Sequence, residues 1–191
     1  MAKSTKKDII RAFERLLAKR EFEKLTVKDI TEKCGINRKT FYYYFADIDD
    51  LMTKAFDWEI QNFLDSIPPG MSAHEAIMDF FELVSSSKDV VYHIYNSSRS
   101  EHLTEYIRTA ALSMVKSTFV GELKNHNITD EQKDVVYHIY SFAISGFIIM
   151  WIDSGMQTDI VEHIKQIGMM LDGGLEFLLK NAEKINKAAK E

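Results

Sequence analysis

Arg38, Lys39, Thr40, Tyr42, Tyr43 and Tyr44 stand almost side by side in one short run, NRKTFYYYF, that opens at Asn37. A guanidinium or ammonium group neutralises a phosphate, and a threonine or tyrosine hydroxyl donates a hydrogen bond to one. An arginine fork also reads base edges in a major groove. Such side chains do this chemistry only when a rigid element holds them out from the protein, and the flanking sequence supplies one. Between Leu25 and Phe45 the pattern predicts two short helices around a tight turn. Thr26 and Asp29 form a T-x-x-D capping box that opens the first helix, with Val27, Ile30 and Cys34 on a single face. Gly35 provides a left-handed stop. Asn37 caps the second helix, in which Phe41 and Phe45 point inward and the polar residues spread over the remaining surface. This outlines a helix-turn-helix sized for a major groove. It also suits an ordinary helical hairpin whose tyrosines pack on their neighbours.

Charge is divided unevenly. Residues 1–45 carry 12 Lys/Arg against 6 Asp/Glu, the rest of the chain carries 12 against 23, and the net charge is −5. A basic head on an acidic body still meets phosphates locally, because cellular salt limits the reach of the acids to about 10 Å. The alternative is that these cations are only solvated helix faces.

At 191 residues the chain suits one sizeable core, or a small head and a larger domain. With two prolines, eight glycines and apolar residues recurring at helical spacing, it reads as all-α. Lys3, Lys6 and Lys7 lead into an amphipathic helix and not an apolar leader. The one cysteine, Cys34, rules out an internal disulfide, fits a cytoplasmic protein, and is expected as a small buried residue of the hairpin. No Gly-rich phosphate loop, H-E-x-x-H, C-x-x-C or nucleophile elbow occurs. The six histidines lack metal-ligand spacing, and only His93 with His138 would merit consideration as ligands. No enzyme, cofactor or metal is expected.

A first helix is predicted from about Thr5 to Lys19, its stripe made of Ile9, Ile10, Phe13, Leu16 and Leu17. Asp47 with Asp50 opens a fourth helix that runs to about Ser66 and is the natural lever between head and body. IPPG at 67–70 breaks the chain, and Ser72 with Glu75 and Thr129 with Gln132 cap later helices. KDVVYHIY occurs twice, at Lys88–Tyr95 and Lys133–Tyr140, with unrelated flanks. Interior packing with satisfied hydroxyls and histidines is the simpler reading; two similar environments facing a shared cavity is the other.

Ile139 to Ile152 is apolar nearly all round. Its length, about 21 Å as helix, falls short of a bilayer core of ~30 Å, so no membrane span is expected. A last helix offers a seam of Ile160, Ile164, Ile167, Leu171, Leu175 and Leu178, with Gly168 and Gly174 permitting close approach. Two such helices from each of two subunits predict a homodimer through a four-helix bundle, the alternative being a monomer's core. Residues 72–152 are also rich in Met78, Phe80, Phe81, Tyr92, Tyr95, Phe119, Tyr137, Tyr140, Phe147 and Trp151. They predict a pocket for a mainly apolar small-molecule effector, with His93 and His138 among its polar groups, against the alternative of a filled core.

Over residues 8–56 the chain resembles the TetR/AcrR family of transcriptional regulators: an amphipathic first helix, LTVKDITEKCGI, NRKTFYYYF and an aliphatic start to the fourth helix. Gly146, Trp151 and Gly155 are similar to a pattern in some members. The resemblance implies an all-helical dimer whose two heads read a palindromic DNA duplex, with a variable ligand domain that moves them apart. By position it implies that Thr26, Lys28, Thr40 and Tyr42 serve phosphates while Arg38, Lys39, Tyr43 and Tyr44 face the groove. The chain departs from the family in two respects: Lys39 stands where a small residue is common, and Ala46 and Ile48, flanked by acids, stand at the start of the fourth helix, where a lysine is common.

The expectation is therefore a helix-turn-helix DNA-binding domain at 1–46 and a helical effector-binding and dimerisation domain at 47–191, acting as a repressor. The competing expectation is a helical ligand-binding or scaffold dimer that has lost DNA binding, supported by Ala46, Asp47, Asp49 and Asp50 beside the groove face.

Overall fold

Helix starts in this chain are fixed by side chains that accept the backbone N–H groups a helix leaves unpaired. Thr26 Oγ1 accepts from the Asp29 amide at 3.2 Å, and the Asp29 carboxylate accepts from the Thr26 amide at 3.0 Å. Ser72 with Glu75 and Thr129 with Gln132 repeat this reciprocal box. Asn37 and Asp47 cap with one oxygen each, 2.8 Å from the amides of Thr40 and Asp50. The computed structural model describes residues 2–157, 160–170 and 173–188. They form α1 (Ala2–Leu17), α2 (Val27–Cys34), α3 (Arg38–Tyr44), α4 (Ile48–Ser66), α5 (Ala73–Ser86), α6 (Lys88–Tyr95), α7 (Ser100–Leu123), α8 (Asp130–Asp153), α9 (Ile160–Met170) and α10 (Gly174–Ala188), with a 3-10 turn at Phe22–Lys24. The fold is all-α, and no strand occurs among the described residues.

Two compact units emerge. One runs to Asp65 and takes in Ser87–Thr104; the other holds Ser66–Ser86 and the chain from Glu105 onward. The unit around the head is thus larger than residues 1–46, adding most of α4, all of α6 and the start of α7.

In the first unit Ile9, Ile10, Phe13 and Leu17 of α1 are buried with Ile30, Phe41, Phe45, Leu51 and Met52. Leu16, expected in that stripe, is only half-buried, and Ala12 is buried in its stead. With eight and seven residues, α2 and α3 are too short to persist alone. Burial of side chains such as Phe41, worth about 1.5–3 kcal/mol each, holds them. Gly35 ends α2 at φ +66°, where a side chain would be strained. Cys34 is half-buried and not fully buried as expected; its thiol donates to the Asp8 carbonyl at 3.6 Å, and burial pushes its pKa up.

The two copies of KDVVYHIY lie in different units and meet different surroundings. The first is α6: Val91 and Ile94 are buried, and His93 Nδ1 lies 2.6 Å from the Leu17 carbonyl oxygen. The second lies in the first half of α8, where Ile139 and His138 are exposed and His138 Nδ1 turns to the Asp134 carbonyl in its own helix. Of their four tyrosines, Tyr140 lines the cavity described below.

In the second unit α8 buries one face through Val136, Ile144, Ile148, Trp151 and Ile152. Ser141 and Ser145, also buried, donate to the carbonyls of His138 and Phe142, which satisfies them inside an apolar surface. The opposite face exposes Val135, Ile139, Phe142 and Met150, so one chain covers only one side of this helix. At 24 residues α8 is also longer than the apolar stretch within it, and by length and composition alone it could cross a membrane. The expected last helix is two. Gly173 at φ +73° stands between α9 and α10, and the apolar period reads through it because the residues on both sides are aliphatic. Of the expected seam, Ile160 and Ile164 are buried in the chain's own core. Leu171, with Thr158 and the side chain of Ile167, lies outside the described residues, as do the surroundings of Gly168. α8 and α10 run antiparallel: Gln132 and Asn186 exchange amide hydrogen bonds at 2.9–3.0 Å at one end. At the other, the Tyr140 hydroxyl lies 3.6 Å from where a Cβ on Gly174 would stand.

Glu14 of α1 and Glu59 of α4 are hydrogen-bonded, and burial followed by the Glu59 charge lifts the Glu14 carboxyl to about 7. Between its ordinary 4.5 and that value the folded state keeps a proton that the unfolded chain releases, so stability falls as pH rises through this window. Glu14→Gln is expected to flatten the fall and to stabilise the protein by about 1 kcal/mol above pH ~7, after allowance for solvent screening. Urea denaturation of both proteins across the window measures this. Parallel pH profiles would show that the carboxyl pair has no such effect.

Candidate nucleic-acid interface and an internal cavity

The Asn37 cap sets the pitch of α3. Its Oδ1 accepts from both the amide and the hydroxyl of Thr40, at 2.8 and 3.0 Å. With Phe41 and Phe45 buried beneath, Arg38, Lys39, Tyr42 and Tyr43 face solvent. Tyr43 is 78 % exposed and meets Tyr44 edge-on at 4.8 Å, while Tyr42 stands edge-on to Phe41. Tyr44 is half-buried, and its carbonyl accepts from Lys54 at 3.2 Å. Arg38 and Lys39 meet no carboxylate among the described residues. Lys28 on α2 is exposed, 3.7 Å from Glu32 one turn on. The Thr26 hydroxyl donates to Asp29 and that of Thr40 to Asn37, so both act first as parts of helix caps.

The acids that follow α3 are each engaged. Asp47 Oδ1 accepts from the Asp50 amide at 2.8 Å. Asp50 accepts from the Ala46 amide and from Lys54, both at 2.8 Å, and these bonds hold its carboxyl below the usual range. Asp49 receives a two-pronged bond from the Arg99 guanidinium at 2.8 and 3.0 Å, which lowers its pKa likewise. Arg99 also lies over the Phe22 ring at 5.0 Å, and neighbouring Ser98 donates its amide to Glu23 at 2.9 Å. A clasp from the start of α7 thus grips both the 3-10 turn and the start of α4.

In the second unit a cavity of about 590 Å³ opens among α5, α7, α8, α9 and α10. Phe81, Phe119 and Phe147, expected around a pocket, line it together with Tyr140. The other expected residues do not. Tyr92, His93 and Tyr95 belong to α6 in the first unit, and Tyr137 lies under the Lys116 ammonium at 5.7 Å. His138 is exposed, and Trp151 is buried in the core. The polar lining comes instead from Ser72, His74, Glu122 and Glu176.

Residues 9–55 match the bacterial regulatory proteins of the tetR family, and residues 72–173 match a transcriptional regulator C-terminal region. The chain belongs to the TetR family of transcriptional regulators. An HTH-type transcriptional regulator of Haemophilus influenzae is 28 % identical over 123 residues, 60 % of this chain and 58 % of that relative, so just over half of its length is spanned. Among solved structures, the dihydroxyacetone kinase operon activator DhaS superposes with a TM-score of 0.76 at 17 % identity, covering 94 % of this chain and 98 % of DhaS. A TetR-family transcriptional regulator from Streptomyces coelicolor gives 0.62 at 15 % identity, with 94 % and 88 % covered. The TetR family repressor AlkX from a Dietzia strain gives 0.53 at 17 % identity, with 90 % and 98 % covered. At such identities these likenesses establish a shared TetR fold.

Within this TetR head, Arg99 is the residue that sequence reading missed. It stands 50 positions from Asp49, and no local pattern joins two charges that far apart. A double-mutant cycle with Arg99→Ala and Asp49→Asn is expected to give a coupling of about 0.5–1 kcal/mol at low salt that shrinks as salt rises, since the pair is partly exposed. Additive effects would mean the clasp does not hold the fold.

Proposed function

We propose that this TetR-family protein is a homodimeric repressor that binds a roughly palindromic duplex in the cytoplasm and releases it when a small, mainly apolar effector fills the cavity. The observation that carries the DNA-binding part is the contrast on the head. Arg38, Lys39, Tyr42 and Tyr43 are exposed, and the Asp47, Asp49 and Asp50 carboxylates behind them are taken up by a cap, by Arg99 and by Lys54. The acids that would argue for a head without DNA binding are therefore not idle repulsive charges, and the scaffold reading loses its main support. Arg38, Lys39, Tyr43 and Tyr44 take the groove side, Lys28 and Tyr42 the phosphates, and Thr26, Asn37 and Thr40 fix the two helices that carry them. Two heads on successive major grooves would span half-sites about one turn (~34 Å) apart.

The dimer reading rests on α8 and α10. Val135, Ile139, Phe142 and Met150 form an exposed stripe on α8, and Phe177 and Ile185 are exposed on α10. Gly146 lies in that stripe with open space where a Cβ would be, which lets a second helix come close. In this reading α8 packs against its copy and not against lipid, and neither cofactor nor catalysis is involved. Release requires the effector to prefer the arrangement with the heads spread, α4 acting as lever, since equal affinity for both arrangements shifts nothing.

Fluorescence anisotropy with labelled upstream DNA and random DNA tests the head. Tyr42→Phe is expected to weaken all duplexes alike, and Arg38→Ala to relax base preference by ~1–3 kcal/mol. Equal, salt-insensitive affinity for both DNAs would refute the assignment. For the dimer, Ile164 is a poor target because it is buried within one chain. Phe142→Asp, at a position 63 % exposed in one chain, is expected to give folded monomers in sedimentation. A monomeric parent protein at micromolar concentration would remove this interface.

A further inference from the structure

The cavity is not electrically neutral. Phe81, Phe119, Phe147 and Tyr140 give it aromatic walls, Glu122 and Glu176 bring two carboxylates to it, and among the described residues neither lysine nor arginine lines it. The carboxylates differ. Glu176 is taken up by Lys180 at 3.0 Å and His126 at 3.4 Å. Glu122 meets no cation among the described residues; being both exposed and part of the lining, it stands where the cavity opens to solvent. Phe119, one turn before Glu122 on α7, packs edge-on against Tyr140 at 4.8 Å, so a carboxylate and two aromatic rings converge on one end of the space.

We infer that the guest of this cavity is a lipophilic organic cation, an amine or onium group on an aromatic or alkyl body, with its positive charge set between Glu122 and the Tyr140 and Phe119 rings. This rests on the reading of the cavity as the effector site and narrows it. A ring face attracts a cation, and more so where water is partly excluded. Burial, then the Glu122 charge, pushes the Tyr140 phenol up, so its hydroxyl stays protonated and adds no second anion. An anionic guest would meet Glu122 with no lysine or arginine among the described lining residues to offset it, only the His74 imidazole. A neutral one would strip water from that carboxylate without replacing it. The volume of about 590 Å³ falls within the usual range for drug-sized ligands.

Two ions of nearly the same shape and opposite charge test this: tetraphenylphosphonium and tetraphenylborate, titrated into the full-length protein by calorimetry. The phosphonium is expected to bind at least about tenfold more tightly than the borate, and E122Q to cost it about tenfold while E176Q costs little. Equal binding of both ions, no binding of the phosphonium, or an E122Q protein that binds it as the parent does would overturn the inference. Anisotropy with DNA separates this from the effector reading. If the phosphonium binds through Glu122 but DNA affinity does not move, the cation site stands and the effector role falls. If the borate alone binds and releases DNA, the effector role stands and the cation site falls.

Discussion

A helix begins with backbone N–H groups that its own carbonyls cannot reach, and the head is built around answering that demand three times in 22 residues: at Thr26, Asn37 and Asp47. Each answer uses a short polar side chain that bonds the amide three residues on, which fixes the direction in which the following helix leaves. For α3 this matters most. Its seven residues have little cohesion of their own, so the angle at which Arg38 and Lys39 leave the surface follows from Asn37 on one side and the buried Phe41 and Phe45 on the other. Loss of an N-cap typically costs about 1 kcal/mol, which is small against a whole domain and large against two turns of helix.

Much of this was legible because it is local. Capping pairs sit three residues apart, inward phenylalanines sit four apart, and both spacings are visible along a line of text. What escaped was set by distance or by rotation. The Leu17 carbonyl that receives His93 is 76 positions away, and nothing beside His93 announces it. Around the cavity, Phe81, Phe119 and Phe147 were readable as aromatic, but whether Tyr137 or Tyr140 turns inward depends on the angle at which α8 meets α7 and α10. Glu122 and Glu176 were missed for a related reason: a carboxylate on a helix is by default a solvated face, and only packing tells which ones border a hollow. The break between α9 and α10 was hidden because Gly173 and Gly174 sit within an aliphatic period that reads equally well as one helix or two.

Composition misled in one instructive way. The acids after α3 look, as text, like a barrier to a polyanion. In the fold their charge is drawn inward: one carboxylate completes a helix cap, and two are bonded to Lys54 and Arg99. Counting charges along a chain weighs every carboxylate alike, whereas its field at a surface depends on which cation it already faces. The same principle acts with opposite sign at Glu122, a single carboxylate made conspicuous by the lack of a cationic neighbour among the described residues.

The duplicated octapeptide has a use of its own. Lys88–Tyr95 and Lys133–Tyr140 share intrinsic propensity, side-chain entropy and local hydrogen-bonding options by identity, so these cancel in any comparison between them. What remains is their flanks and tertiary surroundings: Ile94 buried and Ile139 bare, one histidine tied to a distant carbonyl and the other to its own helix. Differences in amide exchange or tyrosine nitration between the two copies would report, within one molecule and one tube, what a folded context adds to eight residues.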